Sequence, residues 1–209
     1  MTHVRLGFWS STGLVAIGIG YVIALAAGFA RHGLSEPITD PILAVMEVLT
    51  LLSAPVIVCL ALAVLVETTA DHRLEALIGV AFAVLFAGTT SAVHFLELTA
   101  GRQLGDAGIV WPSRVYAAEL LAWDVFLGVA LVALAATFDR TGLQGRIRRS
   151  AMAGGWLCLA GTVGPIVGNM RLQLIGVLGY AVVLPIVAFL LMRHFAVRRQ
   201  HFTDRKSGH

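Results

Sequence analysis

The sequence predicts an all-α, polytopic membrane protein, a bundle of six transmembrane helices, and three observations predict it. Only 13% of the 209 residues are charged and 58% are hydrophobic, roughly half the charged fraction of a soluble domain. Six apolar runs follow one another, five near the roughly 20 residues that cross a hydrocarbon core and one shorter. The basic residues lie in the gaps between the runs. With a mean hydropathy of +0.86, the chain has too little polar surface to cover a globule, and a bilayer removes that difficulty.

The first run spans Gly7 to Ala30 behind Arg5. It is longer than the roughly 7–15 apolar residues of a signal peptide, so a retained helix is expected. The second spans Ile42 to Val66, with Pro41 as a helix-starting residue. The third is Ala76 to Leu98, and the fourth is Val115 to Phe138, just after Trp111-Pro112. The fifth, Ala151 to Val167, is the shortest, and the sixth is Leu172 to Met192. Residues 1–192 thus form one transmembrane domain, followed by a basic, polar tail at 193–209. The short alternating segments of a membrane barrel are not seen.

Arginine and lysine set the orientation. With the N-terminus inside, the inner segments hold eleven basic residues: Arg5, Arg73, Arg140, Arg146, Arg148, Arg149, Arg193, Arg198, Arg199, Arg205 and Lys206. The outer segments hold four, Arg31, Arg102, Arg114 and Arg171. The expectation is both termini in the cytoplasm of a bacterial-type inner membrane. The acids run the other way, with Glu36, Asp40, Glu47, Glu97, Asp106, Glu119 and Asp124 in the outer half.

Composition also excludes functions. The pI near 9.3 does not imply nucleic acid, because the cations are loop residues rather than one basic face. The sole lysine, Lys206, lies in the tail, so no Schiff base can form within the bundle. Cys59 and Cys158 lie in apolar runs without a CxxC pair and read as small buried hydrophobes. There is no G-x-S-x-G elbow and no H-E-x-x-H pair.

Chemistry therefore has to come from ionisable residues inside the runs. They are costly there and persist where they face the bundle interior, water or a partner. At about 1.5 Å per residue, Glu47 lies about 7 Å below the outer end of its helix, His94 and Glu97 within about 8 Å, Glu119 about 6 Å and Asp124 about 13 Å. Thr90, His94 and Glu97 form one stripe at i, i+4 and i+7. Tyr116, Glu119 and Trp123 form another, and Asp124 lies about 140° around an ideal helix from Glu119. Trp123 needs an acceptor for its indole N–H, and the adjacent Asp124 carboxylate is a good one.

The ligand- or ion-binding candidates are Glu47, His94, Glu97, Glu119, Asp124, Trp123, Arg114 and Arg171. A histidine among carboxylates can exchange protons or hold a cation, and can equally act as acid and base. The opposing reading is that Arg102, Arg114 and Arg171 reach down and neutralise the acids as helix glue. His94-x-x-Glu97 supplies too few soft ligands for a transition-metal site, so no metal or other cofactor is assigned. Gly164 and Gly168 make a GxxxG, continued by Gly154, Gly155, Gly161, Gly176 and Gly179, and predict a tight hairpin of the last two helices. The expected function is binding of a small ligand or ion in a polar cavity of the outer half, with the lipid bilayer as partner. An intramembrane enzyme acting on a lipid or quinone-like substrate, and a structural or accessory subunit, remain alternatives.

Overall fold

The computed structural model describes residues 2–33, 38–105 and 111–207, with side chains as far as residue 200. Glu36 and Asp106 lie outside the described residues, as do the side chains of Asp204, Arg205 and Lys206. Among the described residues the chain is all helix. The helices are α1 (Thr2–His32), α2 (Ile42–Glu67) and α3 (Arg73–Leu96, continued by a π turn at Glu97–Gly101 and by Arg102–Leu104). Then come α4 (Arg114–Leu120, a π turn at Leu121–Phe126, then Leu127–Ala136), α5 (Gly142–Gly161) and α6 (Met170–Val177, a π turn at Leu178–Val183, then Leu184–Ser207).

Five of these helices are long and apolar enough to cross a membrane, and α5 is not among them. Its first nine residues, Gly-Leu-Gln-Gly-Arg-Ile-Arg-Arg-Ser, are largely polar, where the sequence reading starts the helix only at Ala151. The apolar part ends early as well: α5 stops at Gly161, and one further turn, Val163–Ile166, follows. The sixth helix departs in the opposite sense. It runs unbroken past Met192 to Ser207, with His194 and Phe195 buried, so the bundle extends into the expected tail.

The helices pack in chain order as a ring: α1 on α2, α2 on α3, α3 on α4, α4 on α5, α5 on α6, and α6 back on α1. Short connections make antiparallel neighbours of consecutive helices. The centre is filled by Leu14, Ile57, Leu60, Phe86, Leu127, Leu131, Val187 and Leu191. It encloses an apolar void of about 40 Å³, of a kind that stays dry. The outside is apolar too, with Ile23, Leu52, Val84 and Phe95 each at least half exposed. An apolar exterior of this kind suggests a membrane protein.

Glycines set the tightest crossings. A β-carbon at Gly7 would fall 2.4 Å from the Phe195 ring, which lies flat against the α1 backbone. Between α5 and α6, a β-carbon at Gly161 would come within 2.6 Å of the Gly176 α-carbon, and one at Gly179 within 2.7 Å of the Cys158 sulfur. Gly155 is packed in the same way on Gly128 of α4. The expected role of Gly168 is corrected. It lies in the turn after α5 with φ +71° and nothing within 4 Å of its β-position, so it serves the turn and not the helix contact. Gly164 does pack, against the backbone of Gln173.

Candidate functional site

Caps and π turns fix the polar residues at the end of the bundle opposite the termini. Ser113 caps α4 by accepting from Tyr116 N at 3.0 Å, and Asn169 caps α6 by accepting from Arg171 N at 3.1 Å. Asp40 accepts from Ala44 N at 3.1 Å in the first turn of α2. The three π turns each carry a polar residue of the layer: Glu97, Asp124 and Tyr180. A π turn inserts extra backbone and re-aims the side chains around it, which is why such turns recur at functional positions.

The layer divides into three clusters. In the first, Arg102 on the last turn of α3 donates from Nε and Nη2 to the two oxygens of Asp40, at 2.8 and 2.9 Å. Its Nη1 donates to Glu47 Oε2 at 2.7 Å and to the Glu97 carbonyl at 2.8 Å. The guanidinium hydrogen-bonded to Asp40 holds that carboxyl below the ordinary carboxylate range. Glu47 is therefore neutralised by a cation, as the helix-glue reading expects, and among the described residues that cation is Arg102 alone.

The second cluster joins α3 and α4. His94 Nε2 and Glu119 Oε1 lie 2.9 Å apart, both residues buried, and Trp123 donates its indole N–H to the same oxygen. The acceptor of Trp123 is thus Glu119, one helical turn back, rather than the neighbouring Asp124. The Trp123 ring packs edge-on against Phe86, centroids 4.8 Å apart, and lies 5.1 Å from the ring of Tyr180.

The third cluster lies at the α5–α6 crossing. Asp124 is fully buried, and Gln173 Nε2 donates to its Oδ2 at 3.5 Å and to the Tyr180 hydroxyl at 3.1 Å. A β-carbon at Gly176 would fall 2.3 Å from Asp124 Oδ1, so the glycine there makes room for the carboxylate. Glu119 and Asp124 accordingly face different helix pairs.

Of the eight sequence-predicted residues, His94, Glu119 and Trp123 touch directly, and Glu47 and Glu97 meet through Arg102. Arg114 and Arg171 are exposed and form no ion pair among the described residues. Their expected part as counter-ions to Glu119 is therefore corrected, because the capped first turns of α4 and α6 leave both side chains outside the bundle. Gln173 and Tyr180 were not anticipated. They carry no formal charge, and a search for ionisable groups passes over them; the i, i+7 spacing of Gln173 and Tyr180 was the available signal.

Four side-chain atoms in this layer are buried without a hydrogen-bond partner among the described residues: Glu47 Oε1, Glu119 Oε2, His94 Nδ1 and Asp124 Oδ1. The Thr90 hydroxyl, one turn before His94, is a fifth. Among the described residues no three histidine, cysteine or acidic side chains are grouped as a metal site. No family model matches the chain, and neither a curated protein nor a solved structure matches it.

Proposed function

We propose that the chain is a six-span integral membrane protein, termini in the cytoplasm, that binds a small cation, the proton foremost, at the His94–Glu119 pair in the outer half of the bundle. The observation that carries this reading is the Glu119 carboxylate. It is buried, two donors converge on one of its oxygens, the other oxygen has no partner among the described residues, and no arginine or lysine of those residues pairs with it. A carboxylate so placed in a low-dielectric bundle is stabilised by taking up a proton or a bound cation. His94, with Nε2 on Glu119 and Nδ1 unpartnered, gives the pair two places for a proton.

The six-span count rests on the sequence pattern and on α5 packing between α4 and α6 as an equal member of the ring. The core between the two ends is filled by Leu14, Ile57, Leu60, Leu127, Leu131 and Val187, which favours binding over transport. The rings of Phe86 and Tyr180 against Trp123 favour a flat, quinone-like ligand as second reading, with Glu119 and His94 as acid and base.

Trp123 is a built-in reporter, because its indole donates to Glu119. Tryptophan fluorescence of the purified protein, minus that of W123F, should change in a single step as pH is varied. E119Q should abolish the step. A difference spectrum flat across pH and unaffected by sodium, potassium or calcium would sink the cation reading. A response to a soluble quinone alone would select the second reading.

A further inference from the structure

The end of the bundle that holds the termini carries a cleft of about 510 Å³ at the foot of α5. Arg140, Arg148 and Arg149 line it together with Met152, Ala153 and Trp156. One of the three cations is engaged: Arg148 Nη1 donates to the carbonyls of Ala136 and Phe138 at 2.9 and 3.0 Å, closing the end of α4. Arg140 and Arg149 are exposed, with no ion pair or hydrogen bond among the described residues. The Trp156 ring is 59% exposed and lies about 10 Å along the helix from Arg149.

The cleft is therefore amphipathic along its length, with guanidinium groups at one end and a thioether and an indole at the other. It also coincides with the weak place in the ring. The first nine residues of α5 are largely polar, so the apolar stretch after them is shorter than a bilayer core needs. Lipid beside such a helix has its headgroups drawn inward, toward arginines that reach the interface. Free guanidinium groups above an apolar wall match a phosphate with acyl chains below it.

We infer that this cleft binds the phosphate headgroup of an anionic phospholipid in the leaflet on the side of the termini, with an acyl chain along Met152 and Trp156. The inference rests on the membrane reading above but not on the His94–Glu119 site. It differs from a general attraction of the basic terminal segment to lipid, because it names two free arginines and one ring.

The test uses the full chain in detergent, titrated with phosphatidylglycerol, phosphatidylcholine or inorganic phosphate while the melting temperature is followed. Phosphatidylglycerol should raise it by roughly 5–10 °C at saturation, and the other two should not. At roughly fivefold per arginine, the double variant R140Q/R149Q should need about 25 times more lipid for the same shift. R146Q, an exposed arginine of α5 outside the cleft, should behave as wild type. A second readout does not depend on melting: phosphatidylglycerol brominated on its acyl chains should quench tryptophan fluorescence more than the brominated choline lipid does, and W156F should remove the difference. An equal shift with inorganic phosphate would mean a free-anion site. An equal loss in R146Q would mean diffuse surface charge, and no shift with phosphatidylglycerol would mean no site; each overturns the inference. Extraction of the wild type from membranes by alkaline carbonate would overturn the membrane reading with it. Retention in membranes without a phosphatidylglycerol effect would overturn the lipid site alone.

Discussion

Glu67 with His194 and Glu119 with His94 are the same two kinds of side chain at opposite ends of the bundle, 2.8 Å and 2.9 Å apart. Their surroundings differ. Glu67 has a second cation within reach, Arg198 Nε at 3.6 Å from its other oxygen, and the His194 ring is held between Phe138 and Phe195. That pair ties the end of α2 to α6, and its charge is closed by a guanidinium that is half exposed. Glu119 has an indole N–H in place of the guanidinium, and each member of its pair keeps a buried atom without a partner among the described residues. One contact therefore has two meanings. Where a cation completes it, the pair is a helix clamp; where none does, buried atoms are left without a partner among the described residues, which is the ground of the binding proposal.

The largest expected effect lies at the crossing that holds the polar half in shape. Gly176→Leu would drive a side chain into Asp124 and the Gly161 backbone. It should cost at least about 3 kcal/mol, because backbone cannot shift as a flexible side chain can. Gly168→Ala meets open space and should cost only the roughly 1–2 kcal/mol of a left-handed residue. Thermal melts in detergent compare the two, and equal losses would contradict the assignment of Gly168 to the turn.

Next comes the comparison of the pairs themselves. Glu67→Ala leaves buried His194 and half-exposed Arg198 without their carboxylate, and should cost about 2–3 kcal/mol. Glu119→Gln keeps an oxygen for both donors and removes only the charge, so its cost should stay under about 1 kcal/mol. Reversal of this order in the same melts would break the distinction between clamp and site.

The smallest effect concerns acid. Arg102 lowers the Asp40 carboxyl below its ordinary value. The stability from this contact is present above the ordinary carboxylate range and is lost as pH falls through the lowered value. Asp40 is exposed, so the contribution is small and screened. D40N should flatten the acid limb of melting temperature against pH slightly, and an unchanged limb would mean that Arg102 serves Glu47 alone.

Much of the outline was legible in the sequence, because hydrophobic runs and helix breakers are local signals. The starts of α2 and α4, the apolar character of five helices and the presence of polar residues in one layer follow from composition and spacing alone. The ends of α5 and α6 did not follow. Arg146, Arg148 and Arg149 look like a loop until Arg148 is seen capping α4, and the run after Met192 looks like a tail until Phe195 is seen lying on Gly7.

The candidate site divides in the same way. That His94, Glu97, Glu119 and Asp124 are confined to apolar helices is a property of the sequence, since no other element in those runs could hold them. Which of them meet was decided by tertiary structure. The π turns at Glu97–Gly101 and Leu121–Phe126 alter the ideal helical spacing, and no local propensity announces them. Arg102 rather than Arg114 or Arg171 neutralises an acid because α3 runs on past its apolar stretch to Leu104 and carries the guanidinium back over α2. Pairing between helices depends on their rotation and depth against one another. The glycine crossings set both, and a one-dimensional pattern leaves them free.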